Sequence, residues 1–184
     1  MIPDRIKYAD DDTTTVKRLM SMRVPPLLLG LLLGTGLSFI TSRFEDVLSH
    51  NIKVAFFIPF IVYMADAVGT QTQSIYVRDL RTGKAIFKHY LIKETLLGVL
   101  LGIIFSAITA VITALWFRSQ ELTLVVTLSM FCAVALAPLV ALLVTEIFQL
   151  EKKDPALGSG PIATVIQDTL SVLIYGLIAS AIIL

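Results

Sequence analysis

Two aspartates inside long apolar stretches are the side chains of this sequence best placed to do chemistry. Asp66 carries the only charge between Lys53 and Arg78, and Asp168 carries the only charge after Asp154. Holding an ionised carboxylate in the hydrocarbon of a bilayer costs about 2.5–3.5 kcal/mol on insertion scales. Because neither stretch contains a basic residue to pair with its aspartate, we expect the two carboxylates to meet cations. The alternative is a protonated carboxyl with a purely structural role.

Each aspartate belongs to a row of oxygen-bearing side chains at helical spacing. The later row contains Thr164, Asp168, Ser171 and Tyr175; the earlier row contains Asp66, Thr70 and Gln73 or Ser74, with Gln71 beside it. Two polar rows in an otherwise lipid-like sequence predict a water-accessible path through the membrane. Hydrogen bonding between helices is the alternative role for the Thr, Ser and Gln members.

The ligands in these rows indicate which cation such a path would accept. Carboxylate, hydroxyl, amide and carbonyl groups all offer oxygen, and the histidines and the cysteine are not placed among them. Oxygen ligands suit magnesium, calcium or manganese rather than zinc or copper. A site with only one or two carboxylates is typical of magnesium, which keeps much of its water shell. Sodium, or a proton carried on a carboxyl, remains an alternative on these grounds.

The composition indicates that the elements holding these residues cross a membrane. The 184 residues are 56% hydrophobic and 16% charged with a mean hydropathy of +0.84, whereas soluble domains carry about 25% charged residues. This excludes a disordered chain and disfavours a soluble enzyme domain. The net charge of +1 offers no basic excess for nucleic acid, and a single cysteine, Cys132, excludes an intrachain disulfide framework. We predict a multi-pass protein of the cell membrane.

Five charge-poor stretches are long enough to cross a bilayer, which takes about 20 apolar residues in a helix. The predicted spans lie near residues 24–42, 54–76, 95–117, 122–146 and 162–184. Their unbroken apolar runs favour helices over the alternating pattern of a β-barrel. The sequence therefore predicts an all-α membrane protein, with one domain of five transmembrane helices over residues 24–184.

The distribution of Lys and Arg predicts the orientation of the chain. Twelve of the fifteen basic residues lie before the first span, between the second and third spans, or between the fourth and fifth spans. This bias puts the N-terminus in the cytoplasm and, with five spans, the C-terminus outside. Residues 1–23 then form a cytoplasmic segment, with a short surface helix expected from about Thr15. Residues 154–161 are rich in Gly and Pro and are expected to form a loop before the fifth span.

Several motifs resemble the transmembrane domain of the MgtE family of magnesium channels and transporters. The most specific is Asp154-Pro155-Ala156 followed by Ser159-Gly160-Pro161, Thr164 and Asp168. The other matching stretches are Arg43-Phe44-Glu45-Asp46 with Ala55-Phe56-Phe57-Ile58-Pro59, Gly69-Thr70-Gln71 leading to Val77-Arg78, and Lys93-Glu94 with Gly98 and Gly102. The resemblance covers about residues 24–184.

The resemblance implies a homodimer whose pore is lined by the second and fifth helices, with magnesium as the transported ion and no organic cofactor. It implies that Asp168 lies on the ion path near the backbone around Thr164, and that Asp154 lies at the cytoplasmic start of the fifth helix. Taken with the polar rows, the residues expected to contact the metal are Asp168, Thr164, Asp66 and Asp154. The residues expected to line the pore are Thr70, Gln71 and Ser171.

Two features depart from the family pattern. Typical members carry Gly-Gly-Asn before the Gly-x-Gln of the second span, where this chain has Ala65, Asp66 and Ala67. The additional acid points to a changed ion preference or to coupling chemistry. Typical members also carry large N-terminal and CBS domains that sense magnesium, whereas about 23 residues precede the first span here. Unless the sequence is part of a longer protein, we expect an ungated pore, or gating by membrane helices or by another subunit.

The favoured function is passive, voltage-driven magnesium transport. A divalent ion falling through 100 mV gains about 4.6 kcal/mol, which supports roughly a thousandfold gradient. The sequence contains no P-loop that would indicate ATP use, and no GxSxG or HExxH motif that would indicate an enzyme. The first alternative is a sodium- or proton-coupled exchanger or efflux protein, for which Asp66 is the support. The second is a non-transporting membrane subunit.

Overall fold

Long helices account for nearly all of the chain that the structure describes. The computed structural model describes residues 12–184, and its helices are α1 (Val16–Ser42), α2 (Glu45–His50), α3 (Lys53–Arg81), α4 (Phe87–Phe117), α5 (Gln120–Leu150) and α6 (Pro155–Ile183). Within these residues five helices, all but α2, are long and apolar enough to cross a membrane. This confirms the prediction of an all-α membrane protein with five transmembrane helices. The second predicted span corresponds to α3 and the fifth to α6.

The centre of the bundle is α5, which packs against α3, α4 and α6. The main hydrophobic cluster contains Val54, Phe57, Ile61, Ala65 and Val68 of α3 and Leu122, Val125, Val126, Met130, Ala133, Val134 and Ala137 of α5. The members from α3 recur every three or four residues, so they occupy one face of that helix and leave the others free for polar side chains. The first helix, α1, contributes no buried residue and packs chiefly against α6.

Two glycines of α4 bring that helix close to α5. A Cβ built on Gly98 would lie 2.8 Å from the carbonyl oxygen of Ala135, and one built on Gly102 would lie 3.0 Å from that of Phe131. Both contacts are with backbone, which cannot rotate aside as a long side chain can. The close approach of α4 and α5 therefore depends on the absence of side chains at these two positions.

The first helix begins before the first predicted span. It runs without a break from Val16 to Ser42, so the surface helix expected from about Thr15 is the start of α1 and not a separate element. The reason is local, since residues 16–23 contain neither Gly nor Pro to end the helix. Residues 1–11 of the expected cytoplasmic segment lie outside the described residues.

The last helix also begins early, which corrects the loop expected at residues 154–161. Asp154 is the N-cap of α6 and accepts a hydrogen bond of 3.0 Å from the backbone N–H of Ala156. Pro155 suits the first helical position because the N–H that it lacks would have no partner there. Gly158 packs against the ring of Phe148, where a Cβ would overlap the ring atoms. The small residues that suggested a loop therefore allow α5 and α6 to pack closely.

Candidate ion-conducting site

The two intramembrane aspartates lie about one helical turn apart in depth, near the midpoints of neighbouring helices. Each is the fourteenth residue of a 29-residue helix, Asp66 in α3 and Asp168 in α6. Hydrogen bonds pair Val54 with Tyr175, Asp66 with Thr164, and Gln73 with Ser159. The order of these pairs makes α3 and α6 antiparallel. Such a helix is about 44 Å long, which is enough to cross a hydrocarbon layer about 30 Å thick, and both carboxylates lie near the middle of that length.

Thr164 links the two helices at this depth. Its hydroxyl donates a hydrogen bond of 3.0 Å to Oδ1 of Asp66. Asp168 lies one turn further along α6, and its carboxylate is close enough to that of Asp66 for the two to repel each other. All three side chains are partly exposed at the surface of the chain. The structure therefore gathers three of the four expected metal ligands in one place.

Gln167 holds α6 against α3 beside this group, and it was not among the expected site residues. Its buried side-chain amide donates a hydrogen bond to the carbonyl oxygen of Ala65. Gly69 leaves the space that the amide occupies, because a Cβ at Gly69 would overlap it. Gln167 could have been recognised in the sequence as an amide inside an apolar span. It lies three residues after Thr164 and therefore on an adjoining part of the helix surface. This bond fixes the register between the two helices.

The expected pore-lining residues are divided between the surface and the interior. Thr70 and Gln71 are exposed, as is Ser74, although all three belong to a transmembrane helix. We call these three residues the open face of α3. Ser171, in contrast, is 1% exposed and lies inside the bundle. The single chain thus does not bring Ser171 to the surface that Thr70 and Gln71 share.

Asp154 lies at the end of α6 that is expected to be cytoplasmic, and it has structural partners. Besides capping α6, its Oδ1 lies 3.6 Å from the guanidinium of Arg81 at the end of α3. The side chain of Asp154 is 3% exposed, whereas that of Arg81 is 43% exposed. Between this ion pair and Asp66, the amide of Gln73 donates a 2.6 Å hydrogen bond to Ser159. Polar contacts therefore follow the line where α3 meets α6, which we call the α3–α6 seam.

Two other residues of α3 donate hydrogen bonds to carboxylates of neighbouring helices. Thr72 donates a hydrogen bond of 2.7 Å to Glu94 of α4, and Tyr76 donates one of 2.6 Å to Glu146 of α5. Thr72 and Tyr76 are buried, at 3% and 1% exposure. Both acids have partners inside the bundle, and neither belongs to the α3–α6 seam.

In the part of the chain that is described, no positive charge lies beside Asp66 or Asp168. Within residues 12–184, no Lys, Arg or His nitrogen lies within 4.0 Å of the carboxylate of Asp66 or Asp168. Nor do three His, Cys, Asp or Glu side chains among these residues lie close enough together to hold a metal ion. The arrangement suits a cation that keeps most of its water shell and is attracted by carboxylates, because no cage of direct ligands is needed for such an ion.

Known proteins contain regions that are similar in sequence to this chain. The model of the MgtE family, described as a divalent cation transporter, matches residues 58–178. The magnesium transporter MgtE of Bacillus subtilis is 32% identical over 164 residues, which is 88% of this chain and 36% of that protein. The magnesium transporter MgtE of Enterococcus faecalis is 31% identical over 163 residues, which is 87% of this chain and 36% of that protein. The chain therefore spans about a third of the length of these relatives.

The family match includes the residues that carry the site. Asp66, Thr164 and Asp168 all lie between residues 58 and 178, and the match takes in more than half of the chain. The resemblance seen in the motifs is thus confirmed. The chain belongs to the MgtE family of divalent cation transporters.

Proposed function

We propose that this protein transports divalent cations, chiefly magnesium, along the α3–α6 seam. The grouping of Asp66, Thr164 and Asp168 at the midpoints of two adjacent transmembrane helices is the observation that carries the proposal. An ionised acid with a purely structural role would be expected to have a basic partner, whereas Asp66 and Asp168 have none within residues 12–184. The relatives named magnesium transporter supply the identity of the ion.

The seam attracts the cation through charge and surrounds it with oxygen. Asp66 and Asp168 repel each other, and a dication beside them offsets that repulsion. Thr164 keeps Asp66 in position because its hydroxyl is bonded to that carboxylate. Magnesium gives up its water reluctantly, so it passes with most of its shell and needs few direct ligands. Attraction by two carboxylates without a closed cage also lets the ion leave, which conduction requires.

A second copy of the chain completes the path in this proposal. The open face of α3, formed by Thr70, Gln71 and Ser74, would meet lipid if the chain were alone in the membrane. Polar side chains at membrane depth usually face protein or a water-filled cavity. Two α3–α6 seams related by a twofold axis would cover these groups and surround a shared path with two pairs of carboxylates. We therefore assign the pore to the interface of a homodimer.

The membrane potential drives transport in this mechanism. A doubly charged ion gains about 4.6 kcal/mol in crossing 100 mV. Inward movement of magnesium through a passive pore then requires neither a nucleotide nor a counter-ion.

Magnesium uptake into liposomes tests the proposal. Purified protein is reconstituted, an inside-negative potential is set with potassium and valinomycin, and an enclosed magnesium dye reports uptake without a sodium or pH gradient. The wild type should take up magnesium, and Asp168→Asn should lower the rate at least about tenfold, as expected for about 1.4 kcal/mol of lost attraction. Glu121→Gln, which removes an exposed carboxylate of α5 away from the seam, should transport like the wild type.

The same experiment separates the proposal from its competitors. Wild-type uptake by Asp168→Asn, with circular dichroism showing a folded protein, would contradict the ion path. Absence of uptake by the wild type under any gradient would favour a non-transporting subunit.

Coupled exchange is the second candidate, and Asp66 is the residue that favours it. This acid gives the seam a second negative charge beside Asp168, where a sodium ion or a proton can be carried. Exchange predicts that magnesium moves only when a sodium or pH gradient is imposed. It also predicts that Asp66→Asn abolishes the effect of that gradient.

A further inference from the structure

A cavity between the end of α3 and the start of α4 has the character of an anion site. It has a volume of about 350 Å³ and lies on the side of the membrane that the Lys and Arg distribution predicts to be cytoplasmic. Its lining consists of Lys84, His89 and Lys93, together with Asp79, Tyr90, Glu94, Ile75 and Ile86. It is separate from the α3–α6 seam, and the proposed transport mechanism does not use it.

The two acids of this cavity are already engaged. Asp79 forms an ion pair of 2.8 Å with Arg78 and also accepts a hydrogen bond from the hydroxyl of Tyr90. Glu94 is buried and accepts a hydrogen bond of 2.7 Å from Thr72. Their carboxylates therefore point to partners on the helices and not to a cation in the cavity.

The lysines of the cavity have no such partners. Within residues 12–184, no carboxylate lies within 4.0 Å of the ammonium group of Lys84 or Lys93. Lys84 feels the charge of Asp79 but lies beyond ion-pair distance from it. His89 also lines the cavity and adds a further nitrogen donor. An anion with several oxygens, such as a phosphate group, would satisfy these donors together.

The position of the cavity selects a membrane lipid as the source of that phosphate. Ile75 and Ile86, which line it, are 41% and 56% exposed, and Ile92 on the next turns of α4 is 61% exposed. Apolar side chains beside ammonium groups at the end of transmembrane helices match a phospholipid, whose acyl chains lie below its phosphate. Basic residues on the cytoplasmic side attract anionic lipids in particular. We propose that this cavity binds the headgroup of an anionic phospholipid such as phosphatidylglycerol.

Lipid selectivity measured on the purified protein tests this proposal. The protein is placed in bilayers of phosphatidylglycerol and phosphatidylcholine, and spin-labelled or mass-resolved lipids report which is retained. The wild type should prefer phosphatidylglycerol, and the double variant Lys84→Gln/Lys93→Gln should lower that preference at least about threefold. Lys88→Gln, which removes an exposed lysine of the same region outside the cavity lining, should leave the preference unchanged.

Three outcomes would overturn the proposal. The first is equal preference in the wild type and the double variant. The second is an equal loss in Lys88→Gln, which would show a diffuse surface effect. The third is displacement of the lipid by millimolar inorganic phosphate, which would assign the cavity to free phosphate. Should the double variant not fold, the single variant Lys93→Gln and the wild type at raised salt provide the test, since both must lower the preference.

Discussion

The hydroxyl of Thr164 on α6 donates a 3.0 Å hydrogen bond to the carboxylate of Asp66 on α3, across 98 residues of sequence. This bond joins the two helices at the depth of Asp66, one turn of α6 away from Asp168. Asp168 lies one turn further along α6, and the resemblance described in the sequence analysis implies that Asp66 is an acid additional to the family pattern. A residue of α6 therefore holds the side chain of Asp66 near Asp168, and the two carboxylates are close enough for their charges to repel each other.

Replacing Asp66 with glycine, as in typical members of the family, should preserve magnesium transport and change ion preference. One of two charges is lost, so the permeability ratio of magnesium to sodium should fall about tenfold for each 1.4 kcal/mol of lost attraction. Reversal potentials in planar bilayers measure this ratio. Asp46→Asn removes an exposed carboxylate from α2 and should leave the ratio as it is. Complete loss of transport in Asp66→Gly would instead favour coupled exchange.

Gly69→Ala should weaken the contact between α3 and α6. The new Cβ would overlap the amide of Gln167, which would have to leave the carbonyl of Ala65. A buried side-chain amide that loses its hydrogen-bond acceptor costs about 1–3 kcal/mol in the free energy of unfolding. Thermal unfolding in detergent should therefore show a lower midpoint than the wild type.

A double variant makes that prediction specific to the Gly69–Gln167 contact. Gln167→Ala removes the side chain that the new methyl group would overlap. The double variant Gly69→Ala/Gln167→Ala should then lose less unfolding free energy than the sum of the losses in the two single variants. Strict additivity would show that the two side chains do not meet.

The helices followed from the sequence because a long stretch without charges is typical of a transmembrane helix and of little else. The predicted spans at 54–76, 95–117 and 122–146 each lie inside one observed helix. The start of α6 could not be predicted from the sequence, because Gly and Pro suit both a loop and a closely packed helix end. The contact between Gly158 and Phe148 decides between the two, and it depends on a different helix.

The site was predictable to the extent that helical spacing fixes which residues are neighbours. Asp168 and Thr164 are one turn apart in any helix, and the structure puts both near Asp66. Spacing does not reveal which part of a helix faces the bundle, so Ser171 was expected on the path and is buried instead. Gln167 was missed because its importance comes from the space that Gly69 leaves on α3.

Two replacements of Asp154 should separate its capping role from an effect on ions. Asparagine caps helices about as well as aspartate, so Asp154→Asn should keep the stability while removing the charge next to Arg81. Asp154→Ala should lose the cap as well, at about 1 kcal/mol. We expect Asp154→Asn to slow magnesium uptake severalfold in the liposome assay, since the family resemblance implies a role in handling ions. If Asp154→Asn transports magnesium at the wild-type rate and Asp154→Ala is less stable than the wild type, the role of Asp154 is structural only.

Gly98→Ala should destabilise the bundle, and Gly34→Ala should not. A Cβ at Gly98 would lie 2.8 Å from the carbonyl oxygen of Ala135 and 3.0 Å from Cγ of Pro138. Neither group can rotate away, so α4 must move from α5, and overpacking of this kind costs about 1–3 kcal/mol. Gly34 is the matched control because no atom of residues 12–184 lies within 4 Å of a Cβ built on it, and alanine favours a helix by about 1 kcal/mol over glycine. Denaturation in mixed micelles compares the two variants at equal protein concentration. An equal loss in Gly34→Ala would mean that α1 packs tightly against a second copy of the chain at that glycine.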